Sequence, residues 1–260
     1  MPVLWIWFVK VKYEFWLNAY GGLGVVAFIK VEGKILEGVF ERRLTRFSAL
    51  VNVGGKGFPC FLPNPGRLSE LLVSGVKVIL REGATATGRK TVYDIIGVYC
   101  NGVIVSVDSR VPNKLVLAAL KHGDLPEFRG YSGVKAEYSY GHARFDFLLY
   151  EGSAVKPCLL EVKSCTLVRD GVAMFPDAPT ERGARHVLEL SKALDEGFRA
   201  AVLFVIQRGD AVVFTPNNEM DPRFGAALRE AVRHGVEVYA YRARFTGDGI
   251  VLDGRVEVRL

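Results

Sequence analysis

The chain has 260 residues, half of them hydrophobic, and a formal charge of +6, which is enough to bury a real core in one large domain or two modest ones. Its four cysteines, Cys60, Cys100, Cys158 and Cys165, have no C-x-x-C spacing and no nearby histidine pair, which argues against a zinc site and against a secreted disulfide framework. Glutamine occurs once, at Gln207, while Val, Arg and Glu abound, a bias of the kind found in thermophilic proteins.

Residues 1–33 are apolar and aromatic, beginning M-P-V-L-W-I-W-F-V. Lys10, Lys12 and Glu14 leave uncharged runs shorter than the ~20 residues that a spanning helix needs, and neither a basic start nor a small-residue cleavage site marks an export signal. The stretch reads as an N-terminal extension, either an extra strand or a start codon assigned too early. The expectation is a cytoplasmic protein without a membrane partner.

Residues 34–105 alternate short strands with Gly-rich turns: I-L-E-G-V-F, F-S-A-L-V-N-V, V-K-V-I-L-R and T-V-Y-D-I-I-G-V-Y. That pattern predicts a small antiparallel barrel, interrupted by one short helix near Arg67–Leu72. Between Lys34 and Asn101 there are twice as many Lys and Arg as Asp and Glu, so the formal excess lies mostly here. Arg42, Arg43 and Arg46, interleaved with Phe40 and Phe47, read as a nucleic-acid surface on which cations meet phosphates and rings stack on bases. An ordinary solvated basic face is the alternative.

Residues 106–260 read as an α/β domain. V-P-N-K-L-V-L-A-A-L-K-H-G predicts a helix ending at Gly123. Three strands follow, Val134–Tyr140, Ala143–Tyr150 and Cys158–Lys163, separated by a tight turn at Gly141-His142 and a longer reversal around Ser153-Ala154. After a turn-rich stretch, a helix carries Val187, Leu188, Ser191 and Leu194 at helical spacing and stops at Gly197. The run R-A-A-V-L-F-V-I is a buried strand reached by a crossover. A strand A-V-V-F-T, a helix from Asp221-Pro222 to His234-Gly235, the strand V-E-V-Y-A-Y and a hairpin tail complete the order.

The three strands of this domain carry the chemistry. With both hairpins centred as above, Glu137 falls opposite Asp146 and Asp146 opposite Glu161, while Phe145, Phe147, Leu160 and Val162 take the other face. Ser139, Arg144 and Lys163 stand beside the acids. Neighbouring acids on a sheet repel, so such a row calls for a positive partner. Oxygen-only ligands suit Mg²⁺ or Mn²⁺, and Lys163, on the same face by strand alternation, is placed to meet phosphate or hydroxide. Taken singly, each acid reads as a solvated surface charge; aligned with the lysine, they read as a metal site.

The order helix, three strands, helix, strand, with Asp on the second strand and E-x-K on the third, resembles the core of the PD-(D/E)XK nuclease superfamily. The strings F-P-D-A-P-T-E-R-G-A-R-H-V-L-E-L, S-R-V-P-N-K-L, L-P-N-P-G-R-L and A-R-F-D-F-L-L resemble the sugar fermentation stimulation protein family, SfsA, over roughly Ile35–Tyr241. The resemblance implies an N-terminal barrel of the OB type, a nuclease-like second domain and binding to DNA without sequence preference. It places the family's metal pattern on Asp146, Glu161 and Lys163, with Glu137 matching a further acid, and its helix-start string on Thr180, Glu181, Arg182 and His186. Arg182 and His186 lie one helical turn apart, and a helix start beside a metal favours phosphate; a histidine satisfied by local hydrogen bonds is the alternative for His186. The family's C-P-N-T-G is here L-P-N-P-G, which leaves Asn64, Gly66 and Arg67 but removes the Cys and Thr. The expectation is a DNA-binding protein with a Mg²⁺- or Mn²⁺-dependent phosphodiesterase site built on Asp146, Glu161, Lys163 and Glu137, and with Arg42, Arg43, Arg46, Arg67, Arg144, Arg182 and His186 meeting nucleic acid. The competing reading is a non-catalytic DNA-binding regulator on the same fold. The oligomeric state, a homodimer included, stays open.

Overall fold

The structure, a computed structural model, describes residues 26–83, 91–152 and 155–260. Most of the N-terminal extension and the Ser153-Ala154 centre assigned to the second reversal lie outside the described residues.

The first strand, β1 (Val26–Lys30), leads into a barrel made of β2 (Ile35–Thr45), β3 (Ser48–Val53), β4 (Lys56–Phe61), β5 (Lys77–Glu82) and β6 (Tyr93–Cys100). Antiparallel pairing links β4-β3-β2-β5-β6, and a short parallel pairing of Cys60 and Phe61 with Tyr93 and Asp94 closes the ring. Closure removes the free sheet edges that would otherwise invite pairing with other chains. Phe40, Val51, Leu62, Leu80, Ile95 and Val98 fill the interior. A Cβ on Gly38 would sit 2.5 Å from Val51 Cγ1, so this tight core requires glycine there. The short helix expected near Arg67–Leu72 is instead a single turn: Leu71 and Leu72 N–H both donate to the Leu68 carbonyl, and Leu68 itself is left-handed at φ 49°. That conformation does not propagate a right-handed helix.

After β7 (Val103–Ser106), which pairs with β6, comes α1 (Val111–His122), with Pro112 in its first turn and left-handed Gly123 as its stop. The hairpin β8 (Gly133–Tyr140) and β9 (Ala143–Tyr150) precedes β10 (Cys158–Cys165) and the small hairpin β11 (Val168–Arg169) and β12 (Val172–Phe175). Then follow α2 (Glu181–Asp195), β13 (Arg199–Ile206), β14 (Val213–Pro216), α3 (Pro222–His234), β15 (Glu237–Phe245) and β16 (Gly249–Val258). The mixed sheet runs β11-β12-β14-β16-β15-β13-β10-β9-β8, with β1 also on β16. β10, β13 and β15 are parallel and central, and α2 supplies the crossover from β10 to β13. The presumed tail is thus an inner strand, flanked by β15 on one side and by β14 and β1 on the other.

The two sheet faces bury separate cores. On one, Leu115, Val116 and Ala119 of α1 pack with Phe147, Leu160, Leu203, Leu252 and the barrel's Ile79 and Ile96. On the other, Val187 and Leu190 of α2 and Phe224 and Leu228 of α3 pack with Phe145, Leu159, Phe204 and Phe214. Each Val, Leu, Ile or Phe among them contributes ~1.5–3 kcal/mol on burial. Leu188, expected on the inner face of α2, is exposed.

The barrel is tied to the second domain by a short set of hydrogen bonds. Ser109 donates to the Pro63 carbonyl from both its N–H (3.1 Å) and its hydroxyl (2.9 Å). Asn64 Nδ2 donates to the Val107 carbonyl at 3.0 Å, and Ser106 N–H to the Gln207 carbonyl at 3.0 Å. These bonds fix the link that leads directly into α1.

Candidate functional site

The site begins as an irregularity in the β8-β9-β10 edge. Tyr138, Tyr140, Ala143 and Phe145 face the α2 side, whereas Val134, Phe147 and Leu149 face the α1 side, so the in-out phase of the hairpin inverts between Phe145 and Phe147. The two phenylalanines therefore lie on opposite faces, contrary to strict alternation. Glu137 causes the change on β8: at φ 54° it adopts a left-handed conformation that a regular strand does not contain. The β8-β9 ladder passes from Ala136–Phe147 to Tyr138–Phe145 without the predicted Glu137–Asp146 pair, and the Glu137 side chain is 71% exposed and pairs with Arg144 at 3.5 Å. It does not join the other acids.

Asp146 sits at the inversion point. The β9-β10 ladder runs from Leu149–Cys158 to Phe147–Leu160 and stops there, one position short of the predicted Asp146–Glu161 pair. In its place the Asp146 carboxylate accepts from the Val162 N–H, with Oδ2 at 2.7 Å, so a side chain stands in for the missing backbone acceptor. Oδ1 accepts from Asn113 Nδ2 on the first turn of α1 at 2.6 Å. Burial, then the nearby Glu161 charge, raise the Asp146 pKa above the ordinary carboxylate value, and these two donors work against that shift.

Glu161 lies beyond the splay, 4% exposed. Its Oε1 accepts from Lys163 Nζ at 2.6 Å and from His186 Nδ1 at 2.8 Å. Burial alone would raise its pKa; the His186 hydrogen bond and the Lys163 charge outweigh burial and hold it below the ordinary value. Arg182 Nε donates to His186 Nε2 at 3.3 Å, which leaves that nitrogen unprotonated and puts the imidazole proton on Nδ1, facing Glu161. α2 presents both residues because Thr180 caps it, its hydroxyl accepting from Gly183 N–H at 3.0 Å, while Asp221 accepts from Thr180 N–H at 2.8 Å. His186 is thus buried within the site.

One atom is left over. Glu161 Oε2 is buried without a hydrogen-bond partner, and a buried carboxylate oxygen in that state is costly unless a ligand completes it. Among the described residues no three His, Cys, Asp or Glu side chains converge as a ready cage. Two carboxylates with one open oxygen fit an ion that keeps waters and takes substrate oxygens, as Mg²⁺ does, better than one that needs a full protein shell.

The predicted nucleic-acid residues divide. Arg42 and Arg46 are exposed, Arg46 lying 5.6 Å from the ring centre of Phe47, which is itself 45% exposed. Arg43, in contrast, turns inward and donates to the Asn64 carbonyl at 3.3 Å, and Phe40 is in the barrel core. Arg67, Arg144 and Arg182 are exposed. Pro63–Arg67 approaches the loop before α2, since a Cβ on Gly66 would lie 3.2 Å from Asp177 Oδ2. Asn113 was not singled out from the sequence. It lies within S-R-V-P-N-K-L, where Pro112 at the helix start puts it in the first turn. A groove of about 660 Å³ between α2 and α3 lies on the far side of α2, lined by Arg185, Lys192 and Arg223 against Glu181, Glu189 and Asp221; it does not include the acids of the site.

Residues 110–249 match the family described as Sugar fermentation stimulation protein RE domain, and residues 42–107 match the SfsA N-terminal OB domain. The chain belongs to the SfsA family. A sugar fermentation stimulation protein homolog from Caldanaerobacter subterraneus subsp. tengcongensis is 48% identical over 230 residues, spanning 88% of this chain and 99% of its own length. One from Moorella thermoacetica is 43% identical over 232 residues, spanning 89% and 100%. The solved structure of Pyrococcus furiosus SfsA in complex with Ca²⁺ superimposes with a TM-score of 0.81 at 29% identity, covering 90% of this chain and 99% of that one. The OB barrel followed by an α/β domain with a mixed sheet is therefore the architecture of this SfsA chain. No helix among its described residues is long and apolar enough to cross a membrane.

Proposed function

We propose that this SfsA protein binds DNA without sequence preference and hydrolyses a phosphodiester at Asp146, Glu161 and Lys163 with a divalent cation, Mg²⁺ or Mn²⁺. The observation that carries the reading is the open, buried Oε2 of Glu161 beside the Asp146 carboxyl, which the Val162 N–H and Asn113 hold in place. The Ca²⁺ complex of the Pyrococcus furiosus relative agrees with a hard-cation site in the family. A bound cation would offset charge on the phosphate and lower the pKa of water beside it. Asp146 and Glu161 would hold it. Lys163 spends one of its three donors on Glu161 and would turn the others to the attacking oxygen or to the non-bridging phosphate oxygens as charge builds there. The water oxygen would bond to phosphorus and give up its proton to solvent, while the ester P–O bond breaks and solvent supplies the leaving oxygen with its proton. Arg182, with its Nε on His186 and its exposed end free, and the exposed Arg42, Arg46, Arg67 and Arg144 would hold the backbone of the nucleic acid.

The competing account, a regulator that binds DNA and cuts nothing, uses the same basic surface. Purified protein incubated with single-stranded, duplex and branched DNA and with RNA, with and without Mg²⁺ or Mn²⁺, separates the two. Metal-dependent cleavage that Glu161→Gln abolishes supports the enzyme. Metal binding with every substrate left intact supports the regulator.

A further inference from the structure

Among the described residues Asn113 is the one side chain of α1 that hydrogen-bonds to the acids, and its geometry leaves little freedom. The amide nitrogen of Asn113 lies 2.6 Å from Asp146 Oδ1 and donates to it. The Asn113 carbonyl oxygen therefore points elsewhere, and no protein donor meets it among the described residues. Without Asn113, Asp146 would keep a single anchor, the Val162 N–H. Its carboxylate would then be free to rotate about that one contact. Asn113 is itself fixed by its surroundings. It sits two residues after Val111, whose N–H donates to the Asp108 carbonyl at 3.1 Å, and Arg110 grips the Asp108 carboxylate at 2.8 and 2.6 Å. The preceding link is bonded to Pro63 and Asn64 of the barrel.

We infer that Asn113 is a positioning residue for the metal site, and that it aims Asp146 at the cation from a helix start that the barrel holds in place. The inference rests on the metal-dependent reading above and goes beyond it by adding a neutral residue from α1, and through it the barrel, to the acid pair and lysine. A side chain that orients a metal ligand typically changes metal affinity 10–100-fold when removed.

The test is calorimetric titration of Mn²⁺ into the full chain, without DNA, for the wild type, Asn113→Leu, Asn113→Ala and Lys114→Leu, with melting temperatures of each in the absence of metal. Leu keeps the bulk of Asn without its donor, Ala guards against a fold lost to crowding, and Lys114 is the exposed neighbour on the same turn. The expected result is an Mn²⁺ dissociation constant 10–100-fold weaker in both Asn113 variants and unchanged in Lys114→Leu. Affinity within twofold of wild type in the Asn113 variants overturns the inference, as does a drop in metal-free melting temperature with affinity intact, which would make Asn113 merely structural. Absence of Mn²⁺ binding in the wild type is a different failure and removes the metal-dependent reading itself.

Discussion

On the barrel, Arg42 and Arg46 stand in solvent, Arg46 beside the open ring of Phe47, whereas in the second domain Glu161 and Lys163 are almost enclosed, with side-chain exposures of 5% and 14%. The first arrangement suits many weak contacts that add independently and are screened by salt. The second is a small network in which each group has defined partners and removal of one leaves another stranded. Similar formal charges thus predict different behaviour: graded loss on the barrel, all-or-none loss at the acids.

The sharpest contrast comes from the acids. Asp146→Asn and Glu161→Gln should each lower metal-dependent cleavage by at least ~10²-fold, several kcal/mol of metal catalysis being lost, and should abolish any rise in melting temperature on adding Mn²⁺. Without metal the two should part. Glu161→Gln takes the charge from the acceptor shared by Lys163 and His186 and should cost ~1–3 kcal/mol. Asp146→Asn loses one hydrogen bond but relieves a carboxylate that burial and Glu161 already disfavour, so its metal-free melting temperature should stay close to wild type. Equal destabilisation by both would show that the two carboxylates are not held as differently as their partners imply.

Next in size, Lys163→Ala should remove cleavage while keeping most of the Mn²⁺-induced stabilisation, because a lysine acts on phosphate or hydroxide and is not a ligand. Loss of both responses together would make Lys163 part of the frame of the site. On the barrel, the double change Arg42→Ala with Arg46→Ala should flatten the log–log salt dependence of DNA affinity by about 2. Arg43→Ala should leave that slope alone, since its half-buried guanidinium is turned to the Asn64 carbonyl and its Nε is buried away from solvent. A slope change for Arg43 and none for the pair would move the nucleic-acid surface. Smallest, Phe47→Ala should weaken single-stranded DNA by about 1–3 kcal/mol through lost base stacking and duplex by less; equal effects on both would argue against stacking.

Much of the fold was legible because its signals are local. Gly123 and Gly235 mark helix ends, Thr180 and Asp221 mark helix starts, and Arg199–Ile206 announces a buried strand by its unbroken apolar run. The E-x-K alternation put Glu161 and Lys163 on one face, where they meet. Glu137 could not be read this way: a register count places it opposite Asp146, but its left-handed backbone turns the side chain away, and no glycine or asparagine marks the spot. Phe145 and Phe147 were misassigned to one face for the same reason. Arg43 and Arg42 look alike in sequence, and only the packing of the Asn64 loop separates them. Asn113 escaped notice because its role depends on a side-chain bond across 33 positions to Asp146.

The pairing of β1 with β16 changes what counts as a separable piece of this chain. Lys30 lies against Gly249 and Ile29 against Ile250, with the ring of Phe28 so close to Gly249 that a Cβ there would stand 2.3 Å from it. The strand that precedes the barrel therefore belongs to the sheet that follows it, and the barrel is an insertion in that sheet's own sequence. Cutting the chain after Ser106 to isolate the α/β part would take Ala27 out of the α1 core and bare the first half of β16, an edge open to association with other chains. The native pairing joins residues near the two ends of the described chain, so forming it requires closing a long loop whose entropy opposes it. A permuted chain that begins in the barrel and links Leu260 to the strand before it would keep every one of these contacts and shorten that search.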